Sequence, residues 1–408
     1  MPVRCFVATG GAAPVTSNAV NHSLPPLGSA RASTANIETF YYRAAIAMSV
    51  QGLAFFEATA GVGSGRTLRA HLNGSASALL TTVADGGSVG TISANTADTV
   101  SIAAGDRVAV VGAKTGGGTM SGGNRMILVA PGVNAVSPLV ATSAGTVNDS
   151  STRLLAISGN FTVVTYSVDA YMRVRSPGNW RGLFAYVSAN SGSGSVTFRG
   201  SRNNADTALA ITIGAGETGH FWDNGNVVAV ADGDNLLYSK TGTTGANVTV
   251  TTLGSTIVNS SRKQQFSGYA SRSWSFSLIN AGGYFGLPGH DYGTSIGASF
   301  LSTYERTIGY PARISRLQVG TFNGLGVPVT TTMLVNGSPS ALSTTVASGA
   351  VSRLTEDVVD EVTVAAGDKI AFLTQCTGAA SGTFFQENLS FLVEDLTPSF
   401  RPTITFHG

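Results

Sequence analysis

The stretch LNGSASALLTTVA at residues 72–84 recurs as VNGSPSALSTTVA at residues 335–347, with the same residue at ten of thirteen places. The match continues downstream, since DTVSIAAGDRVAV at 98–110 corresponds to DEVTVAAGDKIAF at 360–372. Apolar residues alternate on both sides of the Gly-Asp pair, and a glycine there is free to take a positive φ in a tight turn. We therefore interpret the repeated stretch as a strand, a turn and the next strand of a unit that occurs more than once.

A weaker copy lies between these two. NVVAVADGDNLLY at 226–238 carries the same Gly-Asp pair, and VTFRGSRNNADTALAITIG at 196–214 takes the place of the opening stretch. Gly105, Gly233 and Gly367 thus occupy one position in three copies. The period of about 130 residues is too long for a solenoid repeat and has the size of a complete domain.

A Tyr-x-Arg element precedes each Gly-Asp pair by about sixty residues. The elements are Tyr41 and Arg43, Tyr171 and Arg173, and Tyr304 and Arg306. We expect the three elements to occupy equivalent positions in the three copies.

Period-2 alternation of apolar residues, as in Val100 and Ile102, is typical of antiparallel strands with one buried face. One stretch, YYRAAIAMSVQGLAFF at 41–56, has Ala and Met where a helix would favour them. Its counterpart in the second copy contains Pro177 and Gly178, which would interrupt a helix. Because homologous copies share a fold, the stretch is predicted to be strand in all three.

About eight strands in about 120 residues can form an immunoglobulin-like sandwich or a jelly roll. The jelly roll is favoured, because the strands are uneven in length and the Cys and Trp pattern of immunoglobulin domains is missing. The sequence therefore predicts an all-β chain of three tandem antiparallel β-sandwich domains. The predicted divisions are an extended N-terminal arm over 1–33 and repeats over 34–133, 134–262 and 263–408.

Composition excludes several classes of function. Charged residues are only 11% of the chain, and 24 basic against 22 acidic residues give a net charge of +2, so we expect no nucleic-acid partner. No 18 apolar residues run together, which predicts no membrane insertion, and the N-terminus lacks the apolar core of a secretory signal. Cys5 and Cys376 lie at opposite ends without metal-type spacing, so we expect no disulfide framework, zinc site or cofactor.

Residues that could carry catalysis are scattered. The five histidines, His22, His71, His220, His290 and His407, show no metal-ligand spacing. Paired carboxylates for glycoside hydrolysis would have to come from Glu57, Asp223, Asp234, Glu361 and Asp368. Asp106, Asp234 and Asp368 recur at the turn of every copy, which a structural role explains and a single active site does not. We predict that the chain is not an enzyme.

Two places where the copies differ are better candidates for binding. GHFWDNGN at 219–226 contains His220, Trp222 and Asp223, and NAGGYFGLPGHDYGTSIG at 280–297 contains Tyr284, His290 and Tyr292. An aromatic ring beside a carboxylate or amide on a loop can stack on a sugar and bind its hydroxyls. These six residues are the candidate glycan- or partner-binding residues; the alternative is that Phe221 and Trp222 fill one end of a sandwich.

The combination of SANSGSGSVTFRGSRNNADTALAITIGAGETG with VAVADGDNLLY resembles the tandem β-sandwich modules on the outside of tailed bacteriophages and phage-like particles. The resemblance covers most of the chain, from about Tyr41 to Val393. Such modules occur in head decoration proteins, head fibres and tail appendages, so the resemblance indicates the particle and not the position on it.

The resemblance implies a non-enzymatic virion protein, made in the host cytoplasm and located on the particle surface. Its partners would be other copies of itself in a homo-oligomer, neighbouring capsid or tail proteins and host-surface polysaccharide. Symmetric assembly would also hide sheet edges that are otherwise open to pairing. The alternative is a carbohydrate-binding lectin or a polysaccharide-degrading enzyme whose sandwiches frame a sugar site.

Overall fold

The structure, a computed structural model, describes part of the chain. The described residues are 3–9, 22–24, 41–56, 65–83, 92–115, 125–131, 135–142, 146–147, 152–155, 157, 159–160, 171–276, 282–285, 306–308, 311–323, 326–349, 353–376 and 382–396. Their regular secondary structure consists of β-strands. No helix that could cross a bilayer was found in this part of the chain. The all-β prediction is confirmed.

Strand pairing divides the strands into three units. Unit 1 contains β1 (Val3–Thr9), β2 (His22–Leu24), β3 (Tyr42–Arg43), β4 (Met48–Phe56), β5 (Gly65–Leu72), β6 (Ser75–Val83), β7 (Ile92–Ile102), β8 (Arg107–Thr115) and β9 (Arg125–Pro131). Unit 2 contains β10 (Ala135–Thr142), β11 (Thr146–Val147), β12 (Arg153–Leu155), β13 (Gly159–Asn160), β14 (Met172–Arg173), β15 (Gly178–Asn190), β16 (Val196–Arg202), β17 (Ala205–Ile213), β18 (Gly219–Val230), β19 (Asn235–Gly242) and β20 (Val248–Asn259). Unit 3 contains β21 (Lys263–Phe276), β22 (Gly282–Phe285), β23 (Arg306–Thr307), β24 (Ala312–Asn323), β25 (Val329–Val335), β26 (Ser338–Val346), β27 (Arg353–Glu356), β28 (Glu361–Val364), β29 (Lys369–Cys376) and β30 (Gly382–Asp395).

Each unit is a jelly roll. In unit 2 the first strand β10 pairs with the last strand β20, β12 with β19, β15 with β18, and β16 with β17, all antiparallel. This nested pairing folds into two sheets, which we call the first sheet, β10-β20-β15-β18, and the second sheet, β12-β19-β16-β17. Units 1 and 3 repeat the order, with first sheets β1-β9-β4-β7 and β21-β30-β24-β27. The jelly-roll alternative is confirmed over the immunoglobulin-like one.

The predicted N-terminal arm is wrong. Val3–Thr9 pairs with Arg125–Pro131 along its whole length, and His22–Leu24 pairs with β8, so the segment contributes two strands to unit 1. The sequence did not indicate this, because the first strand of a jelly roll pairs with the last one more than a hundred residues away. The predicted boundaries after 133 and 262 fall in the connections between units.

The repeated stretch that opens the sequence analysis forms a hairpin held to the Gly-Asp turn. Asn73 and Gly74 both have positive φ, 49° and 83°, as a two-residue type I′ turn requires. Asn73 donates from Nδ2 to Asp106 Oδ1 (2.8 Å) and accepts from Arg107 N (2.9 Å), while Asp106 Oδ2 accepts from Ala103 N (2.7 Å). The same bonds join Asn203 to Asp234 and Asn336 to Asp368. The recurrent Asn and Asp therefore have a structural role.

The Tyr-x-Arg alignment of the third copy is wrong by one residue. Arg43 pairs with Arg107 and Arg173 with Asn235, but it is Thr307 that pairs with the equivalent Lys369. Arg306 therefore takes the place of Tyr42, and Tyr304 lies outside the described residues. Sequence matching failed here because the short strand is fixed by its pairing with β29 rather than by its own residues.

Candidate functional site

The structure uses Asp223, a predicted glycan-binding residue, to hold its own backbone. One carboxylate oxygen accepts from the amides of Gly225 and Asn226 at 3.1 Å, and the other accepts from Ala210 N at 2.9 Å. Asn95 and Asp357 occupy the same register in units 1 and 3. Their side chains also accept two local amides and reach the neighbouring strand β6 or β26. Asp223 is thus a shared structural residue rather than a departure from the repeat.

His220 and Trp222 lie where unit 1 docks on the first sheet of unit 2. We call this contact interface I. Trp222 is opposite Phe184 across strands β15 and β18, and the guanidinium carbon of Arg43 lies 4.5 Å from the centre of its ring. The His220 ring packs edge-on against Tyr41 at 4.8 Å. A sugar ring stacked on this face of Trp222 would have to displace Arg43.

Gly105 makes the close approach of the Trp222 ring possible. A Cβ on Gly105 would lie 2.6 Å from the ring, and the φ of Gly105 is +94°. Gly182, on the receiving strand, meets Ala45 in the same way, since an added Cβ would lie 2.9 Å from the Cβ of Ala45. The Nε1 atom of Trp222 is buried without a hydrogen-bond partner among the described residues. The ring therefore serves packing and the cation–π contact.

Two buried tyrosines fix the centre of interface I. The Tyr41 hydroxyl donates to the carbonyl of Ala185 at 3.0 Å, and the Tyr42 hydroxyl bonds Thr256 Oγ1 at 3.0 Å. Both tyrosines are 1% exposed, and both rings pack against Phe184. Burial raises the pKa of Tyr42 to about 12, with the hydrogen bond from Thr256 opposing that shift. Burial also lowers the pKa of Arg43.

Unit 2 docks on unit 3 through the same elements but with polar chemistry; we call this contact interface II. The amide side chains of Gln265 and Gln318, each 1% exposed, bind the backbone of the docking segment. Both donate from Nε2 to the carbonyl of Arg173, at 2.6 and 3.0 Å. Gln265 Oε1 accepts from Arg175 N at 2.8 Å, and Gln318 Oε1 from Arg173 N at 3.3 Å. The two glutamine side chains thus donate to and accept from the backbone of the docking segment, as the backbone of a neighbouring strand would.

A buried ion pair completes interface II. Arg175 donates through Nε and Nη2 to both carboxylate oxygens of Glu356, whose side chain is 6% exposed. Its Nη1 reaches the exposed Asp232 at 2.6 Å. The hydrogen bonds to Glu356 raise the pKa of Arg175, with burial acting in the opposite direction. Bidentate pairing of this kind satisfies both buried charges and fixes one orientation.

The two interfaces join the cores of the molecule. One buried cluster contains core residues of units 1 and 3 and is bridged by Tyr41, Tyr42, Phe184, Val140 and Phe266. The core of unit 2 forms a second cluster around Trp180. The first cluster therefore contains residues of all three units. The residues named at these interfaces hold backbone segments and aromatic rings in place.

The other predicted site residues belong to the stretch 280–297. Tyr284 is in β22, opposite Leu373, while His290 and Tyr292 lie outside the described residues. His71 is buried in the β5–β6 hairpin of unit 1, where burial lowers its pKa. In the described part of the chain no group of three His, Cys, Asp or Glu side chains is placed to hold a metal ion.

Sequence reasoning missed Gln265, Gln318 and Glu356. A polar residue at a strand position gives no local sign that a neighbouring unit will cover it. The Asn95–Asp98, Asp223–Asn226 and Asp357–Asp360 spacing is a signal that would have identified Asp223 as part of the repeat.

No family model matches the chain, and no curated protein matches it. Among solved structures, the chain is similar to dimeric latent PorU from Porphyromonas gingivalis, with 10% sequence identity and a TM-score of 0.25. The match covers 99% of this chain and 32% of that chain, so this chain spans about a third of the length of PorU.

Proposed function

We propose that the chain is a non-enzymatic structural component on the surface of a phage virion, as a head decoration, head fibre or tail appendage. In this proposal it is made in the host cytoplasm and packs against copies of itself and neighbouring capsid or tail proteins. The observation that supports the proposal is the buried cluster that contains residues of all three units. Three jelly rolls joined in this way form one unit of defined geometry, as a surface lattice or appendage requires.

The contacts made by residues that could have served catalysis or sugar binding also support a structural role. Asp106, Asp234 and Asp368 bind turn amides, and Asp223 binds the backbone of its own bulge. Trp222 packs on Arg43 at interface I. Contact with host glycans is therefore proposed for the segment that contains Tyr284, His290 and Tyr292 rather than for Trp222.

Fractionation of particles tests the virion proposal. Particles from a producing host and from a strain without this gene are purified on a density gradient and analysed by mass spectrometry and immunogold microscopy. We expect the chain to sediment with the particles and to be labelled on their surface. A chain found only in the soluble fraction contradicts the proposal.

A glycan array and a hydrolysis assay on host polysaccharide separate the lectin and enzyme alternatives. We expect binding without turnover, weakened by the triple change of Tyr284, His290 and Tyr292 to Ala and retained in Thr212→Ala on an exposed strand of unit 2. Turnover of polysaccharide contradicts a non-enzymatic function.

A further inference from the structure

The two interfaces within the chain use one docking geometry. In each, a short segment, residues 41–45 before β4 in unit 1 and residues 171–175 before β15 in unit 2, lies on the first sheet of the next unit. In interface I the Gly-Asp turn of unit 1 also meets that sheet, at Trp222. The segment is bound to the turn by two backbone bonds, Ala44 N to Asp106 O and Gly105 N to Ala44 O in unit 1, at 2.9 and 2.7 Å. Val174 makes the same two bonds in unit 2, at 2.7 and 2.9 Å. We call this structure the docking edge.

Unit 3 has a docking edge built in the same way. Ile308 N donates to Asp368 O at 2.7 Å, and Gly367 N donates to Ile308 O at 2.7 Å. Gly367 has a φ of +98°, close to the +94° of Gly105 and the +92° of Gly233. The third edge therefore has the backbone that two other edges use for docking.

The surface that receives an edge is a row of four residues across the first sheet. Strand register gives Val140, Gly254, Phe184 and Trp222 in unit 2, and Ser267, Ser390, Gln318 and Glu356 in unit 3. Val140, Phe184 and Ser390 of these rows are buried at 0% exposure, and Trp222 is partly buried. The row is thus the receiving surface in both interfaces.

Unit 1 has the equivalent row, and all four of its residues are apolar. Register places Val7 opposite Ile127, Ile127 opposite Ala54, and Ala54 opposite Ala94. The strand bulge beside the row is also present, between Gln51 and Leu53. An apolar row on a sheet favours burial against a partner.

The principal contacts between units follow the order of the series. Strand β10 of unit 2 contacts β1 of unit 1 and β21 of unit 3. A head-to-tail contact is heterologous, so an open series continues with further copies. The available partner for the row of unit 1 is therefore the docking edge of unit 3 in a second copy.

The residues at the docking edge of unit 3 and at the row of unit 1 are both neutral where the two interfaces have an arginine and its partner. Arg43 of the first edge meets Trp222, and Arg173 of the second lies 3.9 Å from Glu356. At the third edge the equivalent residue is Thr307, and the equivalent of Trp222 and Glu356 is Ala94. An arginine beside Ala94 would be buried without a partner, whereas a threonine is neutral and small.

We propose that the protein self-associates head to tail, with the docking edge of unit 3 in one copy seated on the row of Val7, Ile127, Ala54 and Ala94 in the next. Through this contact, copies of the protein would associate in the proposed virion. Only the biological setting of the contact rests on that proposal. Thr307 of one copy then lies against Ala94 of the other.

Sedimentation velocity of the full chain from about 1 µM to about 1 mM tests the contact. We expect multimers that grow with concentration. Ala94→Glu is expected to weaken association at least about tenfold, because it buries an unpaired carboxylate. Adding Thr307→Arg to the same chain should restore association by recreating the pair seen between Arg173 and Glu356. Thr345→Glu, on an exposed strand of unit 3, is the matched control and should associate as the wild type does.

A mixture of two single variants distinguishes association between copies from a contact between units 3 and 1 of the same chain. Thr307→Arg acts from the opposite unit and should also be monomeric alone, which keeps the test valid if Ala94→Glu misfolds. An equimolar mixture of Ala94→Glu and Thr307→Arg should form alternating multimers, because the docking edge of each variant fits the row of the other. A wild type that stays monomeric throughout, Ala94→Glu that associates like Thr345→Glu, or a mixture that stays monomeric overturns the proposal. None of these outcomes depends on a virion, so failure here leaves the particle test standing, and failure of the particle test leaves this one standing.

Discussion

At the scale of single residues, the contact between Gly105 and Trp222 shows how one missing Cβ sets the distance between two domains. The Trp222 ring occupies the space that a side chain on Gly105 would need. Gly233 has the same backbone conformation, with φ +92°, but has open space where a Cβ would lie. The pair therefore separates the cost of backbone strain from the cost of steric overlap.

Gly233→Ala is expected to lower the free energy of unfolding by about 1 kcal/mol, because L-residues disfavour a positive φ. Gly105→Ala should lower it by about 3 kcal/mol, since overlap with Trp222 adds to the same strain. Chemical denaturation of both variants checks the difference. Equal losses in the two variants would show that the Trp222 contact adds nothing.

Tyr42 links the stability of interface I to pH. Its pKa in the folded protein is raised to about 12 from an ordinary 10.0, because the phenol is buried. The folded state therefore holds this proton more tightly, so its contribution is complete below pH 10 and is lost between pH 10 and 12. Two pKa units correspond to about 2.7 kcal/mol.

Tyr42→Phe should remove this part of the alkaline loss while costing about 1 kcal/mol at neutral pH for the bond to Thr256. Unfolding free energies of wild type and variant are compared from pH 8 to 12. We expect the wild type to fall more steeply above pH 10. Parallel curves would assign the alkaline transition to other groups, such as Tyr238, whose pKa burial also raises.

At the scale of elements, one hairpin recurs in all three units: β5–β6, β16–β17 and β25–β26. Asn203 has a φ of 53°, and its side chain bonds Asn235 N and Asp234 Oδ1 at 2.8 and 2.7 Å. The hairpin turn is thereby tied to the Gly-Asp turn of another strand pair. The bonds between the two turns therefore align the β16–β17 hairpin with β19 in the second sheet.

Asn203→Gly keeps the turn conformation but removes both bonds, with an expected loss of about 2 kcal/mol. Asn203→Ala removes the bonds and adds the cost of a positive φ, for a loss of about 3 kcal/mol. Thermal and chemical unfolding measure the order of the two variants. A glycine variant as stable as the wild type would show that the turn conformation, and not the bonds, is what the sequence preserves.

At the scale of the whole molecule, the two interfaces use one geometry with different chemistry. Interface I is aromatic around Phe184 and Trp222, and interface II is polar around Gln318 and Glu356. Differences of this kind discourage pairing of the wrong units, because an arginine edge placed on an unsuitable row would bury an unpaired charge. The different side chains at the two interfaces therefore specify which unit docks on which, because the shared backbone geometry would allow any order.

Glu356→Ala should lower stability by about 3 kcal/mol, because it leaves Arg175 without its buried partner. Glu361→Ala is the matched control, since its bond to Arg313 is exposed on both sides and should cost under about 1 kcal/mol. Calorimetry is expected to show that Glu356→Ala separates the unfolding of unit 3 from the rest, while Glu361→Ala does not. Similar effects of the two changes would contradict the role given to interface II.

Much of the fold could be predicted from the sequence, because it depends on local and repeated signals. Alternating apolar residues identified strands, the Gly-Asp pairs identified turns, and the ten identical residues of thirteen shared by 72–84 and 335–347 identified the repeat. The strand assignment of 41–56 came from comparing copies and is confirmed by β3 and β4. What failed in the fold were non-local pairings: strand β1, which pairs with β9, and the register of Thr307 on β29.

The amino-acid sequence by itself determined the three β-sandwich units and their turns, since these follow from residue pattern within a few positions. The tertiary structure decided what the individual side chains are for. Trp222 and Asp223 looked like a sugar site in isolation, but one packs on Arg43 of unit 1 and the other binds its own bulge. Gln318 looked like an ordinary polar strand residue and proved to be a buried contact with Arg173. The physical reason is that the role of a side chain depends on what surrounds it in the folded chain, and for Trp222 and Gln318 that is set by residues more than a hundred positions away.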